Sequence, residues 1–145
     1  MRIEIQEVES VPTLCLNMIV KNESQVIKRL LSSVVSIIDT YCICDTGSTD
    51  NTIEIIESFF DEHNIDGKVI EEPFKDFGYN RSFALKEAAG LSDYVLLMDA
   101  DMILDIGDFD KSMLSQADSF CLLQGNEDFY YQNMRIVRNN GKFIY

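Results

Sequence analysis

Asp99-Ala100-Asp101 follows directly on the apolar run Tyr94-Val95-Leu96-Leu97-Met98. Two carboxylates in an i, i+2 pair at the end of a buried strand are costly to place together unless a cation or a hydrogen-bonding ligand stands between them. The chemistry they fit is capture of a divalent metal through oxygen ligands. Asp45-Thr46-Gly47-Ser48-Thr49-Asp50 follows a second apolar run, Lys21-Asn22-Glu23 a third, and Arg81 offers a guanidinium able to clamp phosphate in two places. Each has a plainer reading. Asp101 would cap a helix, Asp45 would close an Asp-Thr-Gly turn, and Arg81 would be a surface residue of an amphipathic helix. Two carboxylates after five apolar residues weigh toward a ligand site.

Positioning these residues takes buried strands that end together. Thr13 to Val20, Tyr41 to Cys44, Lys68 to Ile70 and Tyr94 to Met98 are short and rich in Val, Ile, Leu or Cys, as buried parallel strands should be. Helical patterns separate them. Val26, Ile27, Leu30, Leu31, Val34 and Val35 recur at helical spacing, with Asn22 and Gln25 as a capping pair. Asp50 to Phe60 repeats the pattern behind a turn and cap made by Gly47 to Asn51, and a third helix runs from about Tyr79 to Ala89. The alternation predicts an α/β fold: a three-layer, Rossmann-like, mostly parallel sheet whose strand-end loops converge on one edge. Ser119 to Gln124 and Phe129 to Val137 lack an intervening helix, so a mixed or antiparallel section completes the sheet.

The 145 residues are expected to form a single domain (1–145), with 46% hydrophobic content sufficient for one core. Lys and Arg number 12 against 25 Asp and Glu, for a net charge of -13, which argues against nucleic acid or an anionic membrane as partner. Cys15, Cys42, Cys44 and Cys121 lie in apolar segments without Cys-x-x-Cys spacing and read as small buried hydrophobes; Cys42 and Cys44 would share one strand face. A reducing, cytoplasmic compartment is the expectation. Leu14 to Val20 is too short to span a bilayer and follows Glu4, Glu7 and Glu9 rather than a basic segment, so neither signal peptide nor transmembrane segment is expected.

Taken together, an apolar strand ending in Asn22-Glu23, the Asp45 to Asp50 segment, Arg81 on the third helix and Asp99-Ala100-Asp101 closely resemble the family 2 glycosyltransferases of the GT-A fold. The likeness runs from about Leu14 to the C-terminus and includes Met134-Arg135-Ile136-Val137-Arg138-Asn139. It implies a nucleotide-sugar donor, a UDP-hexose such as UDP-glucose being favoured and GDP-mannose compatible, with Mn2+ or Mg2+ bridging the two phosphates. It further implies Asp101 on the metal, Asp99 on the ribose or in the metal shell beside Ala100, Asp45 on the base, Arg81 on phosphate, and Val20, Lys21, Asn22 and Glu23 in the first donor loop. For Asn22 the capping explanation stands equally. Gly47 is read as a turn residue and Ser48 to Asp50 as caps.

Inverting transfer needs a carboxylate to take the acceptor's proton. Glu127 and Asp128 are candidates, but the flanking Gly125-Asn126 makes them read as loop residues, and the resemblance places the base beyond Phe143-Ile144-Tyr145. The expectation is therefore a donor-binding part without its acceptor and base region, the acceptor being an unspecified glycan, protein or lipid. His63, among Asp61, Glu62 and Asn64, reads as an exposed helix end. A phosphatase-like reading fails because its Asp-x-Asp belongs near the first strand. A nucleotidyltransferase would show a glycine-rich basic first loop. The rival that remains is a non-catalytic module that binds the nucleotide sugar.

Overall fold

Strand β1, Leu14–Val20, is nearly continuous in apolar residues and is almost wholly buried, so it must lie between strands and beneath helices on both faces. The computed structural model of the chain describes residues 1–3 and 11–145. Chain order continues as α1 (Ile27–Val34), β2 (Thr40–Asp45), α2 (Thr52–Glu62), β3 (Gly67–Glu71), α3 (Phe77–Glu87), β4 (Tyr94–Leu97), a 3-10 turn (Lys111–Gln116), β5 (Ser119–Gly125) and β6 (Tyr130–Arg138). The described strands form one sheet in the order β3-β2-β1-β4-β6-β5. β1 pairs in parallel with β2 and β4, and β2 with β3; β6 is antiparallel to both β4 and β5. The expected mostly parallel sheet with an antiparallel finish is what forms.

Alternation along β1 divides two cores. Leu14, Leu16, Met18 and Val20 pack with Ile27, Leu30, Leu31 and Val34 of α1 and Ile56, Phe59 and Phe60 of α2. Cys15, Cys42, Val95, Leu97 and Val137 face the opposite side, where Ala88 and Leu85 approach. Each fully buried leucine or isoleucine contributes about 1.5–3 kcal/mol relative to an exposed one. Asn17 stands in that second, apolar layer and is held there by donating to the carbonyls of Cys42 at 3.0 Å and Ala84 at 2.9 Å. An amide so placed fixes α3 against the sheet, because either donor left unpaired would cost about 1–3 kcal/mol.

Several boundaries differ from the sequence reading. Helix α3 begins two residues early, at Phe77, because the Asp76 carboxylate accepts from the Tyr79 backbone N–H at 2.7 Å and caps it. Helix α1 has no side-chain cap, so the proposed Asn22–Gln25 pair does not form. Cys15, Cys42 and Cys44 are buried, and burial pushes their thiols up to about 12, 11 and 11. Cys121 is exposed on the edge strand β5, contrary to the reading as a buried hydrophobe, because that strand has a covered face and an open face. Glu4, Glu7 and Glu9 lie outside the described residues. No helix among the described residues is long and apolar enough to cross a membrane.

The register Leu96↔Ile136 sets the site's shape. Because β6 runs antiparallel to β4, its earlier residues, down to Tyr130, extend beyond the C-terminal end of β4. The β5–β6 hairpin therefore rises on the same edge as the loops after β1, β2 and β4.

Candidate functional site

Two loops on that edge are tied by one side chain. Asn22 adopts φ +52°, a left-handed conformation that asparagine tolerates better than most residues, and its Oδ1 accepts from the backbone N–H groups of Thr49 (2.7 Å) and Asp50 (3.4 Å). Its own N–H donates to Ser48 Oγ at 2.9 Å, while Glu23 N–H donates to Thr52 Oγ1 at 2.9 Å. Asp50 completes the tie: Oδ2 accepts from Ser24 N–H, and Oδ1 accepts from the N–H and hydroxyl of Thr52. Those bonds, led by the Thr52 hydroxyl, lower the Asp50 carboxyl to about 2. Asn22 thus braces the second loop rather than capping α1.

Asp45 ends β2 with its side chain buried. Oδ1 closes the turn by accepting from Gly47 N–H at 2.9 Å and Ser48 N–H at 2.8 Å, a bend that Gly47 permits with φ +125°. Oδ2 is buried and has no hydrogen-bond partner among the described residues. The turn reading and the ligand reading each account for one oxygen of the same carboxylate. Beside it, the Thr46 N–H and hydroxyl both donate to the Val20 carbonyl, so that carbonyl is engaged within the protein while Lys21 is exposed.

Arg81 projects from the first turns of α3, next to Asn80, which is fully buried. Asn80 accepts from Lys75 N–H at 2.9 Å and donates to the Pro73 and Glu72 carbonyls, holding the β3–α3 loop in place. The Arg81 guanidinium donates to Asp99 Oδ1 at 3.2 Å and lies 5.5 Å from the centre of the Phe77 ring. The other carboxylate oxygen, Oδ2, is 3.6 Å from the guanidinium of Arg135 on β6. Arg81, Asp99 and Arg135 line one cavity of about 280 Å³ with Asn17, Leu97 and Met134.

Asp101 is exposed, and among the described residues no helix begins directly after it to be capped; its carbonyl accepts from Arg29 at 3.2 Å. Ala100, between the two aspartates, is buried. Glu23 is partly buried and its carboxyl is raised above the usual range, first by desolvation and then by Asp101, Asp50 and Asp99. The structure therefore brings Asp101, Asp50 and Asp99 near enough to Glu23 to act on its carboxyl. This oxygen-only, electronegative setting fits a hard divalent cation. Among the described residues no group of three ligating side chains would hold an ion unaided. Mg2+-type sites commonly use one or two carboxylates together with substrate phosphates and water.

Glu127 and Asp128 are exposed in the β5–β6 turn, where Asn126 Oδ1 accepts from the N–H groups of Asp128 and Phe129. His63 is the C-cap of α2, stacked on Phe59, with its Nδ1 2.7 Å from the Phe59 carbonyl.

The sequence reading did not single out Arg135, Gln124 or Asn17 for the site. Arg135 did carry a signal: a cation on a strand immediately before the buried pair Ile136-Val137 needs a partner.

The family model described as "Glycosyl transferase family 2" matches residues 15–138. The chain belongs to that family. SunS, a prophage-derived glycosyltransferase of Bacillus subtilis, is 34% identical over 95 residues, covering 66% of this chain and 21% of SunS. An uncharacterized glycosyltransferase of Rickettsia felis is 36% identical over 83 residues, 57% of this chain and 26% of its own length. The family 2 chain thus spans about a quarter of the length of these relatives. S. aureus TarS has the same fold, with TM-score 0.59, 24% identity, and coverage of 77% of this chain and 21% of TarS. The Pyrobaculum calidifontis mannosyltransferase PcManGT, solved with GDP-Man and Mn2+, superposes at TM-score 0.56 with 20% identity, covering 65% of this chain and 29% of its own.

Proposed function

We propose that residues 1–145 form the single donor-binding domain of a metal-dependent hexosyltransferase that transfers from a nucleotide sugar, preferably a UDP-hexose such as UDP-glucose, to an acceptor hydroxyl with inversion. One observation carries this reading: Asp45 Oδ2 is buried at the strand-end edge without a hydrogen-bond partner among the described residues. A buried polar atom left unpaired costs about 1–3 kcal/mol, and an N–H of a uracil-like base would satisfy it. PcManGT, of the same fold, holds GDP-Man with Mn2+, and TarS has been solved with UDP.

In this reading Asp45 accepts from the base, and the loops of Val20 to Glu23 and Asp99 to Asp101 enclose the ribose and diphosphate. Asp101, with Asp99 and Glu23 nearby, would hold Mn2+ or Mg2+, whose contribution is positive charge against the phosphates of the leaving group. Arg81 adds a second cation on the same side. The carboxylate that deprotonates the acceptor is left unassigned; Glu127 and Asp128, the candidates from the sequence, are exposed at the hairpin turn.

Calorimetric titration with UDP-glucose, UDP-galactose, UDP-N-acetylglucosamine and GDP-mannose, with and without Mn2+, tests the reading. Metal-dependent binding of a UDP-sugar is expected, and Asp101→Ala should abolish the metal dependence without unfolding the chain. Absence of binding to every donor in the presence of Mn2+ overturns it. Release of UDP with and without acceptor sugars then separates a transferase from a module that only binds.

A further inference from the structure

Arg135 comes from a strand outside the motif loops, yet it is among the most firmly held side chains on the edge. Its Nε and one terminal nitrogen donate to Gln124 Oε1 at 3.1 and 2.7 Å, and its other terminal nitrogen donates to the Leu97 carbonyl at 3.4 Å. Gln124 Oε1 also accepts from Asn133 Nδ2 at 3.1 Å. The Arg135 side chain is 14% exposed, whereas that of Arg81 is 37% exposed and has, among the described residues, a single hydrogen bond, to Asp99.

The two arginines on Asp99 are therefore unequal. Moving Arg135 would strand several guanidinium donors in a mostly buried place, each at a cost comparable to a lost hydrogen bond. Arg81 gives up one bond and gains water. An arriving diphosphate, which forms charge-assisted pairs with a guanidinium, would compete successfully for Arg81 and leave Arg135 where it is. If Arg135 were absent, Asp99 would then keep neither of its two arginine partners while facing an anion.

We infer that Arg135 is a positioning residue of the donor site: anchored by Gln124, it fixes and neutralises Asp99 while the donor diphosphate takes Arg81. This rests on the nucleotide-sugar reading above. It assigns β6 a part in donor binding that no motif loop performs.

The test compares UDP with uridine, which has the base and no phosphates, in the presence of Mn2+, by calorimetry for UDP and by NMR titration for uridine. Arg135→Ala should weaken UDP binding about 10- to 100-fold and change uridine binding by less than about twofold. Arg135→Lys should recover part of the loss, because it keeps the charge without the planar fork. In an Asp99→Ala background, adding Arg135→Ala should cost less than about threefold more, since residues acting through one contact are not additive. Should Arg135→Ala fail to fold, Gln124→Met carries the test, with an expected loss of about threefold or more for UDP alone. Unchanged UDP affinity, equal losses for UDP and uridine, or full additivity with Asp99→Ala overturns the inference. If the unsubstituted chain binds neither UDP nor uridine, the nucleotide reading itself falls and takes this with it. If it binds UDP and Arg135→Ala binds equally well, only the role of Arg135 is lost.

Discussion

The parallel part of the sheet and the β5–β6 hairpin stand side by side on one edge, yet they are built differently. β1 and β4 are buried along nearly their whole length, and the loops after β1, β2 and β3 are braced by Asn22, Asp50 and Asn80. The hairpin covers one face only and leaves Leu123, Phe129, Tyr130 and Tyr131 exposed. Beyond its backbone pairing with β4, its side-chain tie to the site runs through Arg135, which Gln124 anchors. The contrast teaches that one region supplies a rigid floor, while the other supplies a wall whose contribution is concentrated in a few polar contacts.

The sharpest way to break that contrast is to truncate an equivalent leucine in each region. Leu96→Ala, on fully buried β4, should cost about 2–5 kcal/mol of stability, whereas Leu123→Ala on β5 should stay within about 0.5 kcal/mol, as measured by urea denaturation. Comparable losses would show that the hairpin is packed as tightly as the floor. A smaller difference should separate two asparagines that organise loops. Asn80→Ala removes a buried amide with three partners and should cost about 1–3 kcal/mol, while Asn126→Ala, at the exposed hairpin turn, should cost about 1 kcal/mol or less.

The smallest effect concerns charge on the floor. Glu23 has its carboxyl raised above the unfolded value of 4.5, so the folded chain binds more protons than the unfolded chain just above that pH. The contribution of Glu23 is accordingly most favourable below 4.5 and is lost as pH rises through its folded pKa. Glu23→Gln should therefore raise the melting temperature at pH 7, with the gain shrinking as the solution is acidified toward pH 4. A gain of equal size at both pH values would mean that neither desolvation nor Asp101, Asp50 and Asp99 raise the Glu23 carboxyl. Asp50, lowered to about 2, works in the opposite direction and loses its contribution as pH falls from 3.8 through that value.

How far the molecule could be read in advance follows the same division. Strands β1, β2 and β4 announce themselves because burial on both faces demands unbroken apolar runs, and the chemistry of Asp45 and Asp99-Ala100-Asp101 stands out against those runs; β3, expected to be buried, is an edge strand with no buried residue. Arg81 was legible as a cation on the third helix, although its pairing with Asp99 was not. Arg135 was legible only as a cation in need of a partner; its pairing with Asp99 comes from antiparallel register, which brings residue 135 level with the end of β4 from 38 positions away. Asn22 misled for a related reason: a cap and an inter-loop brace call for the same amide, and only the left-handed backbone decides between them. The start of α3 was missed because Phe77 and Gly78 look like loop residues until Asp76 caps them.

The Asn22 brace bears on the thermodynamics of any ligand that settles on this edge. Two loops joined by one amide have already lost their independent motions when the chain folds, so little conformational entropy remains to be surrendered on association. Binding there should leave the backbone nearly where it was. An Asn22→Ala chain would instead order its loops around the ligand, so its weaker affinity would appear chiefly as a more unfavourable binding entropy.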